Sequence, residues 1–180
     1  MPSQKRARRS AGLLLFRRPD GAVDDAAADD DAGFEVLIGH MGGPFWAGRE
    51  SAAWSIPKGE YGVDEEPEAA ARREFEEEFG HPAPDGEWVA LGEARQSGGK
   101  TVTVWALEAD LDAAAAVPGT FAMEWPRGSG VLRQFPEVDR FAWCTPREAA
   151  ERLVTGQRVF LDRLREHVTG GRVTPGQDGS

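Results

Sequence analysis

The chain has 180 residues, 40% of them hydrophobic, and a formal net charge of -10 at pH 7. This length is typical of one compact domain with short tails, and it can bury a core without disulfides or a structural metal. The single cysteine excludes an internal disulfide and is typical of a reducing compartment, so we predict a cytoplasmic protein. No apolar run approaches the roughly 18 residues that a membrane-spanning helix needs.

Most of the negative charge lies in two clusters. Residues 20–31 contain six aspartates and no basic residue, whereas residues 65–78 contain seven glutamates and two arginines. The aspartate cluster lacks the alternating ligand spacing and the turn glycine of a calcium-binding loop, so a solvated loop is the favoured interpretation. The chain has no long basic face, and we therefore expect no nucleic-acid partner.

The predicted elements mix strands and helices without a regular alternation. Residues 1–10 are expected to form a flexible basic leader, residues 11–168 the domain, with an acidic loop insertion at 19–33, and residues 169–180 a flexible tail. The predicted strands, in chain order, are 11–16, 34–40, 53–57, 87–94, 101–107 and 141–144. A helix is predicted at 67–79 and a second helical segment from 146 to about 168, with the first two strands forming a hairpin. This order predicts an α+β fold with a mixed sheet.

The helix at residues 67–79 carries the strongest functional signal. It has a proline in its first turn, and Gly80 lies just past its end. On a helical wheel of about 100° per residue, Glu74, Glu77 and Glu78 share one face. Like charges three and four residues apart repel, and a merely solvated surface would carry interspersed lysines, which are absent here. A divalent cation would neutralise this cluster, and oxygen ligands select magnesium, manganese or calcium.

The spacing around this helix resembles the signature of the Nudix hydrolases. That signature is a glycine, five residues, a glutamate, seven residues, then Arg-Glu-apolar-any-Glu-Glu-any-Gly and an apolar residue. The matching positions are Gly59, Glu65, Arg73, Glu74, Phe75, Glu77, Glu78 and Gly80. One position departs from the signature, because His81 stands where the family has an aliphatic residue. The departure affects local packing, since that side chain is not a ligand in the family.

The resemblance implies a fold, a cofactor and residue roles. The family fold is an α/β/α sandwich around a mixed sheet, and its members cleave diphosphate linkages with magnesium or manganese. The residues that correspond to the family's metal ligands are Gly59, through its carbonyl, and Glu74, Glu77 and Glu78. Glu65 and Arg73 correspond to the ion pair that braces the loop against the helix.

A further carboxylate often enters the family's site from the loop before the last strand. Glu137 is the best candidate for this ligand or base, with Glu124 and Asp139 as alternatives. An ordinary surface acid is the other interpretation of Glu137. The catalytic residues that the resemblance implies are Glu65, Arg73, Glu77, Glu78 and Glu137.

The substrate is less well defined by the sequence. The window 94–100 lacks the proline that marks ADP-ribose hydrolases and the tyrosine that marks diadenosine polyphosphate hydrolases. Stretches outside the signature, among them 42–46 and 124–126, resemble a bacterial Nudix group described as predicted nucleoside-triphosphate pyrophosphohydrolases. Candidate substrate contacts are Lys58, Lys100, Phe45, Trp46 and Trp125. For each of them, a surface base or a packing aromatic is the alternative interpretation.

We therefore expect a metal-dependent hydrolase that cleaves a diphosphate linkage in a nucleoside triphosphate or a related nucleotide, by water attack on phosphorus. The alternatives are a dinucleoside-polyphosphate or nucleotide-sugar hydrolase, and a Nudix module that senses a nucleotide without turnover. Sensors commonly lose signature carboxylates, whereas this chain retains each of them. The expected partner is a small-molecule nucleotide, with no membrane contact, and a homodimer is left open.

Overall fold

The computed structural model describes residues 7–19 and 33–170. Most of the predicted leader, acidic insertion and tail lies outside these described residues. The strands are β1 (Arg9–Arg17), β2 (Glu35–Met41), β3 (Trp54–Ser55), β4 (Lys58–Glu60), β5 (Trp88–Arg95), β6 (Thr101–Glu108), β7 (Thr120–Glu124), β8 (Leu132–Pro136) and β9 (Val138–Cys144). The α-helices are α1 (Pro67–Phe79), α2 (Pro146–Arg152) and α3 (Val159–Gly170). Within the described ranges, no helix is long and apolar enough to cross a membrane.

The main sheet is mixed, with the strand order β3-β2-β1-β6-β5. β1 runs parallel to β6 and antiparallel to β2 and β4, while β9 pairs antiparallel with β2. β1 and β2 form the predicted antiparallel pair, but only where Phe16 faces Val36 and Arg17 faces Glu35. A separate hairpin of β7 and β8 stands outside this sheet.

Helices cover both faces of the sheet. Phe75 and Phe79 of α1 pack against one face of β1 together with Leu13. Leu14, on the other face of β1, packs in a second cluster that includes Phe160 of α3. Full burial of such side chains contributes about 1.5–3 kcal/mol each relative to exposure. The mixed sheet with helices on both faces confirms the predicted α+β sandwich.

The structure differs from the predicted elements in several places. The short strand β4 was not predicted, and β9 begins at Val138 rather than at residue 141. β1 begins at Arg9, so the end of the predicted leader belongs to the sheet. The β7–β8 hairpin was not predicted, because its short and largely exposed strands bury few apolar residues. The predicted helical segment from 146 to 168 is interrupted at Leu153, which is extended (φ -64°, ψ 144°) and fully buried. There the chain leaves α2 to bridge to Trp54 of β3 before α3 begins.

Candidate active site

Helix α1 ends at a point that only glycine can occupy. Gly80 has φ 87° and ψ 2°, and its N–H donates to the carbonyl of Glu76. A Cβ at this position would overlap the carbonyl oxygen of Val117. The left-handed conformation and this close approach both require glycine. Because Phe75 and Phe79 of the same helix are buried in the core, the glutamate face of α1 is turned toward the loop around Gly59.

Glu74 lies against the backbone of Gly59. A Cβ on Gly59 would overlap the Glu74 carboxyl group, so the two groups approach as closely as they do because position 59 has no side chain. The Glu74 side chain is only 12% exposed, and burial raises its pKa. Two predicted ligand groups, the peptide at 59 and the carboxylate at 74, are therefore neighbours.

Glu78 is the most deeply buried carboxylate of the site. The backbone N–H of Lys58 donates to its Oε2 at 3.3 Å. The pKa of Glu78 is raised to about 8, chiefly by burial; the charges of Glu74 and Glu137 contribute to this rise, whereas Lys58 opposes it. Because neighbouring donors and positive charges offset only part of this burial, a bound cation would strongly stabilise the ionised form of this carboxylate.

Arg73, on α1, connects this helix to the loop that precedes it. Its Nε and Nη2 donate to the two carboxylate oxygens of Glu65 at 2.8 and 3.1 Å, a bidentate pair. Its Nη1 donates to Glu74 at 2.7 Å and to Glu77 at 3.3 Å. The hydrogen bond from Arg73 lowers the pKa of Glu65, and the same pairing raises that of Arg73. The structure thus pairs Glu65 with Arg73, the two residues to which the resemblance assigns the brace.

Glu137 reaches the site through a short chain of backbone contacts. Its N–H donates to the carbonyl of Gly119 at 2.9 Å, and the N–H of Gly119 donates to the carbonyl of Glu77 at 3.2 Å. A Cβ on Gly119 would lie 3.9 Å from the Glu137 Oε2. The charge of Glu137 contributes to the raised pKa values of Glu74 and Glu78. The structure thus brings Glu137 to the glutamate face of α1.

The two alternative carboxylates are engaged elsewhere. Glu124 accepts a hydrogen bond at 2.8 Å from the N–H of Gly130, within the turn of the β7–β8 hairpin. Asp139 lies 2.8 Å from Nδ1 of His40 and 3.2 Å from Arg140. Of the three candidates, Glu137 is the one whose charge is among the main causes of the raised pKa values of Glu74 and Glu78.

In the described parts of the chain, no three His, Cys, Asp or Glu side chains converge closely enough to hold a metal as they stand. The donor set itself fits a hard cation. It consists of oxygens alone, one carboxylate is buried with a raised pKa, and the closely approached peptide belongs to a glycine.

A family model for the NUDIX domain matches residues 22–164. This chain belongs to the Nudix family. No curated protein matches the sequence. The family and the retained signature make the chain a Nudix pyrophosphohydrolase, as predicted.

Solved structures share the fold. The C. elegans Ap4A hydrolase in a binary complex is 18% identical, with a TM-score of 0.57 over 89% of this chain and 98% of that chain. The NUDIX domain of Shewanella oneidensis NrtR complexed with ADP ribose is 14% identical, with a TM-score of 0.58 over 91% of this chain and 90% of that chain. The M. smegmatis Nudix hydrolase RenU is 25% identical, with a TM-score of 0.50 over 94% of this chain and 89% of that chain.

Two predicted substrate bases of this Nudix domain lie together beside the carboxylates. Lys100 Nζ is 3.2 Å from Glu60 Oε1. Lys58 is largely buried, and burial together with the charge of Lys100 lowers its pKa, while Glu78 and Glu74 oppose this shift. The carboxylate face of α1 therefore has two ammonium groups on its flank.

The three aromatic residues predicted to contact the substrate lie in two different parts of the structure. Phe45 is 56% exposed and meets Trp46 edge to face, with ring centroids 6.1 Å apart. The guanidinium of Arg49 lies over both rings, at 5.6 and 6.0 Å from their centroids. Trp125 instead follows β7, where its backbone N–H donates to the carbonyl of Val131 at 2.9 Å before a cis bond to Pro126. The structure brings Phe45 and Trp46 together and places Trp125 on the hairpin.

Sequence reasoning missed His40. The residue is the last but one of β2 and is 1% exposed, with both ring nitrogens in contact with oxygen atoms. The available signal was one polar residue closing the apolar run 34–39. An amide, a hydroxyl or a solvated imidazole would give the same pattern, so the sequence does not identify its partners.

Proposed function

We propose that this Nudix pyrophosphohydrolase hydrolyses a diphosphate linkage of a nucleoside triphosphate or a related nucleotide, by attack of water on phosphorus, with magnesium or manganese at the glutamate face of α1. The observation that carries the proposal is a group of neighbouring carboxylates: Glu74 lies against the backbone of Gly59, and the charge of Glu137 helps to raise the pKa of both Glu74 and Glu78. Such a cluster is costly to the folded chain unless it serves a ligand.

The groups that would hold the ion are the carbonyl of Gly59 and the carboxylates of Glu74, Glu77 and Glu78. When bound, the ion would neutralise the charge on the phosphate oxygens and lower the pKa of a coordinated water. Arg73 already contacts two of these carboxylates, so its role is to hold them in place on α1 through its anchor at Glu65.

Glu137 is the group that we assign to the attacking water. It enters from the loop after β8 rather than from α1, and its backbone is fixed by Gly119 and by Gly42, whose N–H donates to the Glu137 carbonyl at 2.9 Å. A carboxylate at such a site accepts the proton that the water loses as it attacks. Lys58 and Lys100 lie on the flank and supply positive charge for the outer phosphates.

Phe45 is the group that we assign to the nucleobase. Its exposed ring is supported by Trp46 and Arg49, which leaves one face available for stacking. Two structural neighbours are named for Ap4A and ADP ribose, which supports a nucleotide as the substrate class. The cytoplasmic location and the oligomeric state stay predictions.

The test is a screen of ribonucleoside and deoxyribonucleoside triphosphates, dinucleoside polyphosphates and nucleotide sugars, with magnesium or manganese, in ¹⁸O-labelled water. Mass spectrometry of the products identifies the bond that is cleaved and the phosphorus that is attacked. Glu78→Gln should abolish turnover, whereas Glu76→Gln, at an exposed position of the same helix, should not. Hydrolysis that survives chelation, or that prefers another substrate class, would overturn the corresponding part of the proposal.

A further inference from the structure

His40 is a buried imidazole whose two nitrogens both face hydrogen-bond acceptors. Its Nδ1 lies 2.8 Å from Asp139 Oδ2, and its Nε2 lies 2.6 Å from the carbonyl oxygen of Arg49. Both oxygen atoms lie within hydrogen-bond distance of the ring, so this one imidazole contacts β9 and the segment at Arg49 at the same time.

A β-bulge aims Asp139 at this ring. In the pairing of β2 with β9, His40 faces Arg140 and Met41 faces Val138, so Asp139 is the extra residue between them. Bulges re-aim a side chain and are frequent next to active sites. Asp139 lies two residues after Glu137 in the chain, and Gly42, two residues after His40, donates its N–H to the Glu137 carbonyl at 2.9 Å. His40 therefore binds the segment that carries Glu137.

The other bond of His40 reaches the far end of the loop 42–50, which we call the aromatic loop because it carries Phe45 and Trp46. Inside this loop, the N–H of Trp46 donates to Gly43 at 3.3 Å and the N–H of Arg49 donates to Trp46 at 3.0 Å. The loop begins beside Glu137 and returns to the ring at Arg49. The imidazole thus joins the far end of the aromatic loop to Asp139 of β9, while the backbone of Gly42 joins its near end to Glu137.

The surroundings hold the ring in this position. His40 meets Trp54 edge to face, with centroids 5.2 Å apart. Glu50 accepts hydrogen bonds from Trp54 at 3.2 Å and from Arg140, whose guanidinium lies 4.9 Å from the centroid of the Trp54 ring. Buried polar networks of this kind specify one arrangement of the groups that they join.

We propose that His40 is a positioning residue that clamps the aromatic loop to the Glu137 segment and thereby sets the affinity for the nucleoside part of the substrate. The affinity part rests on the proposed function, through the assignment of Phe45 to the base. A purely structural role predicts a lower melting temperature with the same Michaelis constant. The clamp predicts a local loss of order in the aromatic loop and weaker substrate binding.

The decisive variant is His40→Phe, which keeps a ring and removes both bonds. Gln157→Leu is the matched control, because Gln157 is equally buried (1% exposed) and its amide bonds the N–H of Ile56 at 2.8 Å, away from the loop. Hydrogen exchange followed by mass spectrometry reports on the aromatic loop and on α1 in the nucleotide-free protein. Steady-state kinetics with the four common ribonucleoside triphosphates give KM and kcat.

In His40→Phe we expect exchange in the aromatic loop to become about tenfold faster while α1 is unchanged, which corresponds to the loss of about one hydrogen bond. We expect KM to rise about tenfold with kcat within a factor of about three, whereas Gln157→Leu lowers the melting temperature and leaves KM unchanged. His40→Gln, which keeps one donor, should be intermediate and also serves if the phenylalanine variant does not fold.

Each other outcome has a distinct meaning. Unchanged exchange in the aromatic loop would overturn the clamp. Faster exchange with unchanged KM would overturn the link to substrate affinity. If the wild type hydrolyses none of the triphosphates, the proposed function fails in its substrate, and the exchange data still decide whether His40 is a clamp.

Discussion

The carboxyl group of Glu78 is buried beside Glu74 and Glu137, and its pKa is raised from 4.5 to about 8. A folded-state pKa above the unfolded value means that the folded chain holds this proton more tightly. The resulting stabilisation is complete below about pH 4.5 and is lost as the pH rises through 8. In the metal-free protein, the ionised form of Glu78 therefore lowers the free energy of unfolding above neutral pH, whereas a bound cation would stabilise that form.

Glu78→Gln removes this pH dependence, because the amide resembles the protonated acid. For protein kept metal-free with a chelator, we expect the variant's melting temperature to exceed that of the wild type by an amount that grows from pH 5 to about pH 8. The exposed Glu76→Gln should show no such trend. A constant difference between Glu78→Gln and wild type across this range contradicts the assigned cost.

Glu137 was one of three carboxylates that the sequence offered as the additional ligand or base. If it accepts the proton of the attacking water, Glu137→Gln should lower kcat by about 100-fold or more with little change in KM and in melting temperature. Glu124→Gln is the control, because Glu124 accepts the N–H of Gly130 in the hairpin turn and has no assigned role in chemistry. Wild-type kinetics in Glu137→Gln, together with an inactive Glu124→Gln, would transfer the role to the hairpin.

At the scale of elements, the sequence predicted the features that depend on residues close together in the chain. The bounds of α1, Pro67–Phe79, follow from a proline in its first turn and a glycine after its end. The interruption at Leu153 was not predictable in this way, because it depends on a bridge to Trp54, which is distant in sequence. The same reason applies to the site. A helical wheel indicates the glutamate face, whereas the partners of His40 depend on the register of β2 with β9.

The end of α1 offers a test of this local control. Gly80→Ala forces a side chain into a left-handed conformation and against the carbonyl of Val117, so we expect a loss of at least about 1 kcal/mol in the free energy of unfolding. Gly170→Ala is the control, since a Cβ there meets nothing within 4 Å in α3. Urea titration measures both variants. Equal stabilities would mean that the α1 end and the segment at Val117 adapt without cost.

At the scale of the whole molecule, the acidic segment 20–32 carries much of the net charge of -10. The strands that flank it are already joined without it, because Arg17 and Glu35 are direct antiparallel partners and Phe34 packs edge to face on Phe16. The ends that any connection must span therefore lie side by side.

Deletion of residues 20–32 leaves Arg18, Pro19, Gly33 and Phe34 to connect the strands, a length common in β-hairpins. Because loop-closure entropy changes slowly with length, we expect turnover to stay within about a factor of two and the melting temperature to change by no more than about 2 °C. A Gly/Ser segment of the same length separates the effect of charge from that of length. If the deletion and the Gly/Ser replacement both lose activity while remaining folded, the aspartates act on the substrate or the metal; if only the deletion does, the hairpin needs the longer connection.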